Sequence, residues 1–456
     1  MLEAVMKVFW KRCIVSILIL NCILMGCSTL EEQSTNPDIN VESETMRLMK
    51  NRNPDFTYEV PTYKPNILVN QAGYSTESEK TAIFLGEQFS DTFNVIDAST
   101  GTVVYSGDIL LSPTQTAYGS FTQLENEGTY YIQTDVIGRS YNFEISNTLR
   151  DNLFNDSCIH FISDITVSSI SHSLDTIVKD SLSAVPVMMA YEFFPQIFTD
   201  ELSRNYSNNS IPDIIDGLKP QMDVLMETDL KTLENSDQAA IIAAVLTKFS
   251  VLYKAYDATY SKNCLRIAET AYTYIDQNSE FDEYLFYFAA AELYKATGYS
   301  RYHTVVRAYA VVKAGESDRL TKLYGDIAYL SARRWVDVGV CNTIMEEWMG
   351  RVEKIVSANA DKGYLLTQDS AKSVFADMTQ LIVVDYIISS HEYADVLNEQ
   401  MDYFFGRNSQ SVSYVNTYGD CFSDQKSDMI TADVEKNALF LFAISDIKDK
   451  YDREDS

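Results

Sequence analysis

Three aspartates are candidates for general acid–base chemistry: Asp175, Asp180 and Asp433. One carboxylate can activate a water molecule, and a second carboxyl group can protonate a leaving oxygen on the opposite side of the bond that breaks. Asp175 or Asp180 can serve as the base and Asp433 as the acid if shifted loops bring them together. The alternative is that all three are solvated surface charges, since the chain has 65 acidic residues.

Other polar residues suggest further hypotheses. His172 can act as a base or as a ligand contact, but a single histidine is more often a surface or capping residue. Three aspartates in one segment can bind calcium through oxygen ligands, although such a segment is usually only solvated: Asp420, Asp424 and Asp428. We predict no metal site and no cofactor.

The first 27 residues have the features of an export signal. Basic residues precede an apolar run from Cys13 to Met25, which is too short to span a membrane as a stable helix. The segment Leu24–Cys27 resembles the lipobox of bacterial lipoproteins, which implies that Cys27 is lipidated and anchors the chain on the extracytoplasmic face of the cell membrane. An ordinary signal peptide or an N-terminal anchor with Cys27 unmodified is the alternative. Both predict export.

Four cysteines follow the signal: Cys158, Cys264, Cys341 and Cys421. They are widely separated and form no Cys-x-x-Cys pair, so a zinc site is not predicted. In an exported protein they allow three sets of disulfide pairings. Isolated buried thiols are equally compatible with a large core, and both alternatives stay open.

The remaining sequence predicts a tether and two domains. Residues 28–63 are polar and predict a flexible tether, which would span on the order of 30 Å. Residues 64–147 contain short β-rich runs separated by turn residues, which predict a small antiparallel sandwich. Residues 148–450 show helical periodicity in about twelve segments. This predicts a closed (α/α)6 toroid rather than a superhelical array, because no constant repeat length is present.

The apolar periodicity is clearest in seven segments, and it predicts helices with these bounds: Leu182–Phe194, Ile211–Met226, Gln238–Tyr256, Tyr260–Ile275, Asp282–Thr297, Ala371–Ser389 and Ala432–Ile447.

Charge restricts the class of partner. The formal net charge of -29 repels phosphate backbones and anionic lipid headgroups, so nucleic acid is not a predicted partner. Neutral polysaccharides or oligosaccharides remain compatible with this charge. Thirty Tyr and 22 Phe offer flat surfaces for stacking, although most such rings in any protein belong to the core.

Several landmarks in order resemble family 9 glycoside hydrolases, the cellulase family. The segment Asn66–Tyr74 resembles the start of the immunoglobulin-like domain that precedes many of these enzymes. Further along, four segments resemble family landmarks: Ala190–Pro195, Ile211–Asp216, Ala290–Gly298 and Phe405–Asn408. The resemblance implies a multidomain β + α protein, an N-terminal immunoglobulin-like β-sandwich followed by an (α/α)6 toroid.

The resemblance also implies inverting hydrolysis of β-1,4-glucosidic bonds, which needs a carboxylate base and a carboxylic acid. Counting back from Glu192 places the family's Asp-Ala-Gly-Asp motif on residues 169–172, where Ser169 and His172 stand in place of aspartates. Counting back from Asn437 places the family's acid on Thr431. The His-His-Arg segment that grips substrate is missing between residues 415 and 429. The sequence therefore predicts no catalytic residue at the positions where the family has its base and its acid.

The family resemblance on one side and the missing catalytic acids on the other leave three possible functions. The first is a surface-anchored, non-catalytic protein that binds a β-glucan or another polysaccharide or serves in assembly. The second is a divergent active glycoside hydrolase with relocated carboxylates, and the third is a purely structural partner protein. Aromatic residues in the segment after the last landmark are candidate sugar contacts, unless they point into the core: Tyr414, Tyr418 and Phe422.

Overall fold

The computed structural model describes residues 64–171, 173–202, 209–275, 281–315, 319–362, 371–388, 393–415, 430 and 433–454. The predicted signal peptide and tether lie outside this part and stay predictions. Five residues named in the sequence analysis also lie outside the described part: His172, Tyr418, Cys421, Phe422 and Thr431. Among the described helices, none combines the length and the apolar character needed to cross a bilayer.

Two antiparallel sheets form the N-terminal domain. One has the strand order β1-β2-β6-β5; the other has the order β4-β3-β7-β8, and β9 also pairs with β7. The bounds are β1 Ile67–Leu68, β2 Thr81–Phe84, β3 Thr92–Asp97, β4 Val103–Asp108, β5 Leu110–Leu111, β6 Ala117–Ser120, β7 Gly128–Thr134, β8 Gly138–Arg139 and β9 Phe143–Ile145.

The sandwich core follows from alternation along the strands. In β7, Tyr130, Ile132 and Thr134 are buried, whereas the residues between them are more exposed. The inward side chains meet Phe93, which is fully buried and packs against Gly119 of the other sheet. A Cβ at Gly119 would lie 2.4 Å from the Phe93 ring, so this close approach requires glycine. The predicted immunoglobulin-like sandwich is confirmed.

Fourteen α-helices follow in the described residues. Their bounds are α1 Leu149–Ser171, α2 Leu174–Leu182, α3 Ala184–Phe193, α4 Asp213–Asp216, α5 Lys219–Glu227, α6 Ser236–Tyr253, α7 Ala258–Tyr272, α8 Glu283–Thr297, α9 Ser300–Tyr309, α10 Arg319–Leu330, α11 Val338–Lys362, α12 Ala371–Ile388, α13 Ala394–Phe404 and α14 Val434–Glu454.

Apolar content separates an inner from an outer layer of helices. Helices α3, α6, α8 and α12 are buried at most positions, whereas α7, α9 and α13 bury one face only. The helices α3, α6, α8, α10, α12 and α14 each contact the next, and α14 returns to contact α3. Six inner helices therefore close a ring, which confirms the predicted (α/α)6 toroid.

Because the connections are helical hairpins, the inner helices all run in the same direction. We call the face where α2, α6, α8, α10, α12 and α14 begin the mouth face, and the face where the inner helices end the far face. Helices α2 and α3 together make up one inner position, as do α4 and α5 for one outer position.

One predicted helix is divided in two, so its predicted bounds were wrong: the segment predicted over Ile211–Met226 forms α4 and α5. The helix predicted over Leu182–Phe194 is the single helix α3, which begins at Ala184. Helix α4 ends at Asp216 because Pro220 has no N–H for the Asp216 carbonyl and its ring crowds that carbonyl. At the break, a Cβ on Gly217 would lie 2.8 Å from Ile162 of α1.

The sandwich and the toroid meet through two of the sequence landmarks. The Gln71 backbone N–H donates to the Phe405 carbonyl at 2.7 Å, and the Gln71 side-chain amide donates to the Ser411 carbonyl at 3.0 Å. Gly406 has a φ of 107° and lies against the Gln71 side chain, where a Cβ would be 2.2 Å from Nε2. The landmark segments at residues 66–74 and 405–408 are therefore two sides of one contact.

Candidate functional site

Ser169 stands where the family motif has an acid, near the end of α1 on the mouth face. Its side chain is 7% exposed, and its hydroxyl donates to the Thr166 carbonyl of the same helix at 2.7 Å. The hydroxyl is thus used by the helix backbone. A serine hydroxyl is also far too weak a base at neutral pH to replace a carboxylate.

Asp175 lies in the first turn of α2, two residues after the capping residue Ser173. Its carboxylate accepts hydrogen bonds from Lys179 at 2.7 Å and from the Gln238 side chain of α6 at 2.9 Å. The hydrogen bond from Lys179, and then that from Gln238, lower the pKa of Asp175. A lower pKa makes the carboxylate a poorer proton acceptor, so this environment opposes a role as general base.

The other two candidate acids also make contacts within the fold. Asp180, at the end of α2, accepts a hydrogen bond from the Ser168 hydroxyl of α1. Asp433 immediately precedes α14, and its carboxylate accepts from the Lys436 backbone N–H at 3.1 Å, as an N-cap does. Helices α2 and α14 contact each other, so Asp175 and Asp433 lie at the starts of two neighbouring helices.

Tyr414, a predicted sugar contact, is packed against the hydrophobic core instead of being fully exposed. Its ring stacks on Tyr403, with ring centres 5.7 Å apart. Its backbone N–H donates to the Phe404 carbonyl at 2.7 Å, and its carbonyl accepts from Ile430 at 2.9 Å. These contacts indicate a packing role for Tyr414. The other two predicted sugar contacts, Tyr418 and Phe422, lie outside the described residues.

A groove of about 400 Å³ opens on the mouth face between the start of α6 and the segment after α7. We call it the mouth groove; its lining includes Lys231, Glu234, Asn235 and Tyr274. The Tyr274 side chain is 41% exposed. Gln238 links the groove wall to Asp175, because its carbonyl oxygen accepts from the Glu234 N–H at 2.8 Å.

Tyr274 was not among the ligand contacts predicted from the sequence. It is one of 30 tyrosines, and its position just after α7 resembles an ordinary helix terminus. The only signal available was that an aromatic residue follows a helix at the end of the toroid where ligands are expected. That signal is shared by too many residues to select this one.

Two glutamates from the landmark segments form a buried ion-pair network. Lys248 of α6 lies 2.9 Å from Glu192 and 3.3 Å from Glu292, and Lys295 also pairs with Glu192. Burial raises the pKa of Glu192, but the charges of Lys248 and Lys295 outweigh burial and bring the pKa down to about 2. These residues lie in the second halves of α3, α6 and α8, away from the mouth face, and hold the inner helices together.

The described cysteines are free thiols: Cys158, Cys264 and Cys341. Disulfide pairing among these three is therefore ruled out in this structure, and Cys421 lies outside the described residues. Burial raises the pKa of Cys264 to about 12 and that of Cys158 further, which makes both thiols unreactive. Within the described ranges, no group of three or more His, Cys, Asp or Glu side chains has a metal-binding arrangement.

An immunoglobulin-like sandwich joined to a six-hairpin toroid defines a class of two-domain protein. Comparison with known families gives two matches: residues 62–139 match the cellulase N-terminal ig-like domain, and residues 217–438 match Glycosyl hydrolase family 9. Residues 217–438 therefore belong to a glycosyl hydrolase family 9 domain, which follows an N-terminal domain typical of cellulases.

Similar proteins of known activity are distant in sequence. Endoglucanase D of Acetivibrio thermocellus is 21% identical over 78% of this chain and 73% of its own length. A cellodextrinase of Butyrivibrio fibrisolvens is also 21% identical, over 78% of this chain and 85% of its own length.

Solved structures support the same fold. A metagenome-derived family 9 endoglucanase superimposes with a TM-score of 0.68 at 17% identity, over 83% of this chain and 98% of that protein. A Bacteroides ovatus family 9 protein gives a TM-score of 0.67 at 17% identity, over 84% of this chain and 99% of that protein.

Proposed function

We propose that this protein is a lipid-anchored, extracytoplasmic member of family 9 that binds a polysaccharide at its mouth face without hydrolysing it. One observation carries this proposal. Each of the three candidate acids predicted from the sequence already makes a contact within the fold: Asp175 with Lys179 and Gln238, Asp180 with Ser168, and Asp433 with the start of α14.

Hydrolysis with inversion requires two carboxyl groups in different states. The base must be an available carboxylate, and the acid must hold a proton until the leaving oxygen takes it. Each proton-transfer partner typically contributes about a hundredfold or more to the rate. In this chain Ser169 and Thr431 stand at positions where the family has acids, and Asp175 has a lowered pKa. These substitutions support the loss of hydrolysis.

Binding a glycan requires fewer specialised side chains than hydrolysing it does. A sugar ring stacks its apolar face on an aromatic side chain and is held in register by a few polar groups. The mouth groove offers Tyr274 with Lys231, Glu234 and Asn235 around it. A neutral glycan suffers no repulsion from the net charge of -29. The names of the relatives, an endoglucanase and a cellodextrinase, favour a β-1,4-linked glucan.

The anchor is proposed from the sequence alone. Lipidation at Cys27 and a polar tether over residues 28–63 would hold the toroid on the order of 30 Å from the membrane surface. A binding protein in this position can retain polymer chains at the cell surface.

Calorimetric titration of the purified protein with cellohexaose tests the binding. We expect Tyr274→Ala to weaken the affinity about tenfold, as expected when a stacking partner is lost. Tyr299→Ala is the matched control, because Tyr299 is a 53% exposed tyrosine near the start of α9 on the far face. Loss of affinity in the control but not in Tyr274→Ala, or no binding by the parent protein, would refute a glycan site in the mouth groove.

A divergent active hydrolase is the second candidate. The observation in its favour is that Asp175 and Asp433 lie at the starts of α2 and α14, which are in contact. Inverting hydrolases hold their carboxyl groups roughly 6.5–9.5 Å apart. If both side chains left their present partners, such a pair would form between two neighbouring helices.

A further inference from the structure

A second, larger cavity lies on the far face, beside the sandwich. It has a volume of about 920 Å³ and is bounded by a sandwich segment, the start of α13 and the ends of α12 and α14. Volumes of roughly 300–1,000 Å³ are typical of sites for small organic ligands. We call it the far cavity.

The far cavity has an excess of negative charge. It is lined by two cations, Lys450 and Arg453, and by six carboxylates: Glu77, Glu79, Asp385, Asp395, Asp446 and Asp449. The formal sum is two positive and six negative charges, a balance of minus four. An anionic ligand is therefore excluded, and a cationic ligand would be attracted.

Both cations are already paired with the carboxylates of the toroid. The Lys450 amine lies 3.0 Å from Asp385 and 2.9 Å from Asp446, and Arg453 lies 3.0 Å from Asp449. Asp385 and Asp446 are almost fully buried, so this floor is fixed in position.

Part of this negative charge comes from the sandwich. Glu77 and Glu79 are exposed residues of the segment between β1 and β2, and they line the cavity together with Asp395 of α13. Like charges from two domains repel one another across this space. A ligand cation between them would relieve that repulsion.

An aromatic ring forms another part of the wall. Tyr386 of α12 lines the cavity and is 43% exposed. Its ring stacks on Phe193 with a centre-to-centre distance of 4.1 Å and an angle of 6°, so the ring is held in a fixed plane. A rigid aromatic ring beside carboxylates attracts an organic ammonium group through both its face and its charged neighbours.

We propose that the far cavity binds a ligand with a protonated primary amine next to an apolar surface, the chemistry shared by amino sugars and alkylamines. A bare metal ion fits less well, since no described group of side chains has a metal-binding arrangement. This site lies on the opposite face from the mouth groove and does not depend on the function proposed above.

Calorimetric titration of the intact protein at low salt, with four probes, tests this site. The probes are the β-1,4-linked disaccharides of glucosamine, N-acetylglucosamine and glucose, which differ at carbon 2, and spermidine. We expect an amine probe to bind at least about tenfold more tightly than the two neutral sugars, as for one well-placed charged contact. Preference for the glucosamine disaccharide identifies an amino sugar as the ligand class, and preference for spermidine identifies an alkylamine.

Paired variants locate the site. The double variant Glu77→Gln/Glu79→Gln should weaken binding of the preferred amine at least about fivefold, and Tyr386→Ala should do so as well. The double variant Glu87→Gln/Glu125→Gln removes the same charge from exposed sandwich positions and should leave the affinity unchanged. Equal affinity for all four probes, no binding at all, or equal losses in both double variants would overturn the proposal. Cellohexaose binding at Tyr274 is measured separately and is unaffected by either result.

Discussion

The Asn70 side chain of the sandwich donates a 2.7 Å hydrogen bond to the carboxylate of Asp402 at the end of α13. The same Asn70 accepts from the backbone N–H groups of Ala72 and Gly73, and Asp402 pairs with Arg407 at 3.0 Å. One buried asparagine therefore fixes the turn of its own domain and the position of the other domain. Residues 61–456 form one compact unit.

Replacing Asn70 tests this junction. Asn70→Ala leaves the partly buried Asp402 without one of its donors and two backbone N–H groups without their acceptor, which should lower the free energy of unfolding by about 2 kcal/mol or more. Urea unfolding measures the change. Asn94→Ala removes an exposed hydrogen bond that Asn94 accepts from the Ser106 hydroxyl within the sandwich, and should cost less than about 0.5 kcal/mol. Equal losses in the two variants would contradict the assignment.

The buried network around Lys248 should be a major source of stability for the inner helices. Lys248→Met leaves Glu292 buried without its cation and removes one of the two partners of Glu192. We expect a loss of about 3–5 kcal/mol, which is typical when one partner of a buried ion pair is removed. Lys179→Met, in an exposed pair with Asp175, is the control and should leave the melting temperature unchanged. A stable Lys248→Met variant would show that the network does not stabilise the fold.

Glu399 of α13 should make stability fall as the pH rises. Burial raises its pKa from 4.5 to about 7; Arg407 opposes the rise, while Asp402, Asp395 and Glu79 add to it. Because the folded-state pKa lies above the unfolded value, stability is lost between about pH 4.5 and 7, as the unfolded state ionises more readily.

The variant Glu399→Gln removes this effect. Its stability relative to the parent should be similar at pH 4.5 and should exceed the parent's by about 1–3 kcal/mol above pH 7. Glu192→Gln is a control of opposite sign. The Glu192 pKa is lowered to about 2, so its contribution is present above about pH 4.5 and is lost as the pH falls towards 2. Parallel pH profiles for the two variants would contradict both assignments.

Lipidation at Cys27 is tested by the fraction in which the protein is found. In a bacterial host that processes lipoproteins, the parent should be in the membrane fraction, and Cys27→Ser should be released from it. Cys22→Ser changes a nearby cysteine of the same segment and should stay with the membrane. Membrane retention of Cys27→Ser would argue against the lipid anchor.

The sequence predicted the fold well because the fold depends on local patterns. Periodicity located most helices, and the landmarks at Asn66–Tyr74 and Phe405–Asn408 proved to be two sides of one contact. The helix break before Pro220 was missed, although proline chemistry explains it. The apolar residues keep their helical spacing across the break, so the spacing predicted one continuous helix in spite of Pro220.

The site was predicted less well because side-chain partners come from distant parts of the chain. The hydrogen bond from Gln238 to Asp175 depends on how the ring closes, and the position of Glu79 beside the end of α14 depends on how the sandwich packs against the toroid. Tyr414 was a candidate sugar contact, but its stacking on Tyr403 could be seen only in three dimensions. The replacement of the family's acids by Ser169 and Thr431 could be predicted from the sequence, because both positions are found by counting residues from the landmark segments.

The release of reducing ends from a soluble β-1,4-glucan distinguishes a glycan-binding protein from a hydrolase. We expect the intact protein to release them at the rate of a protein-free control, identical for the parent, Asp175→Asn and Asp433→Asn, while cellohexaose still binds. Release above that control by the parent, abolished by either aspartate variant, would show that the chain is an active hydrolase and would refute the loss of catalysis.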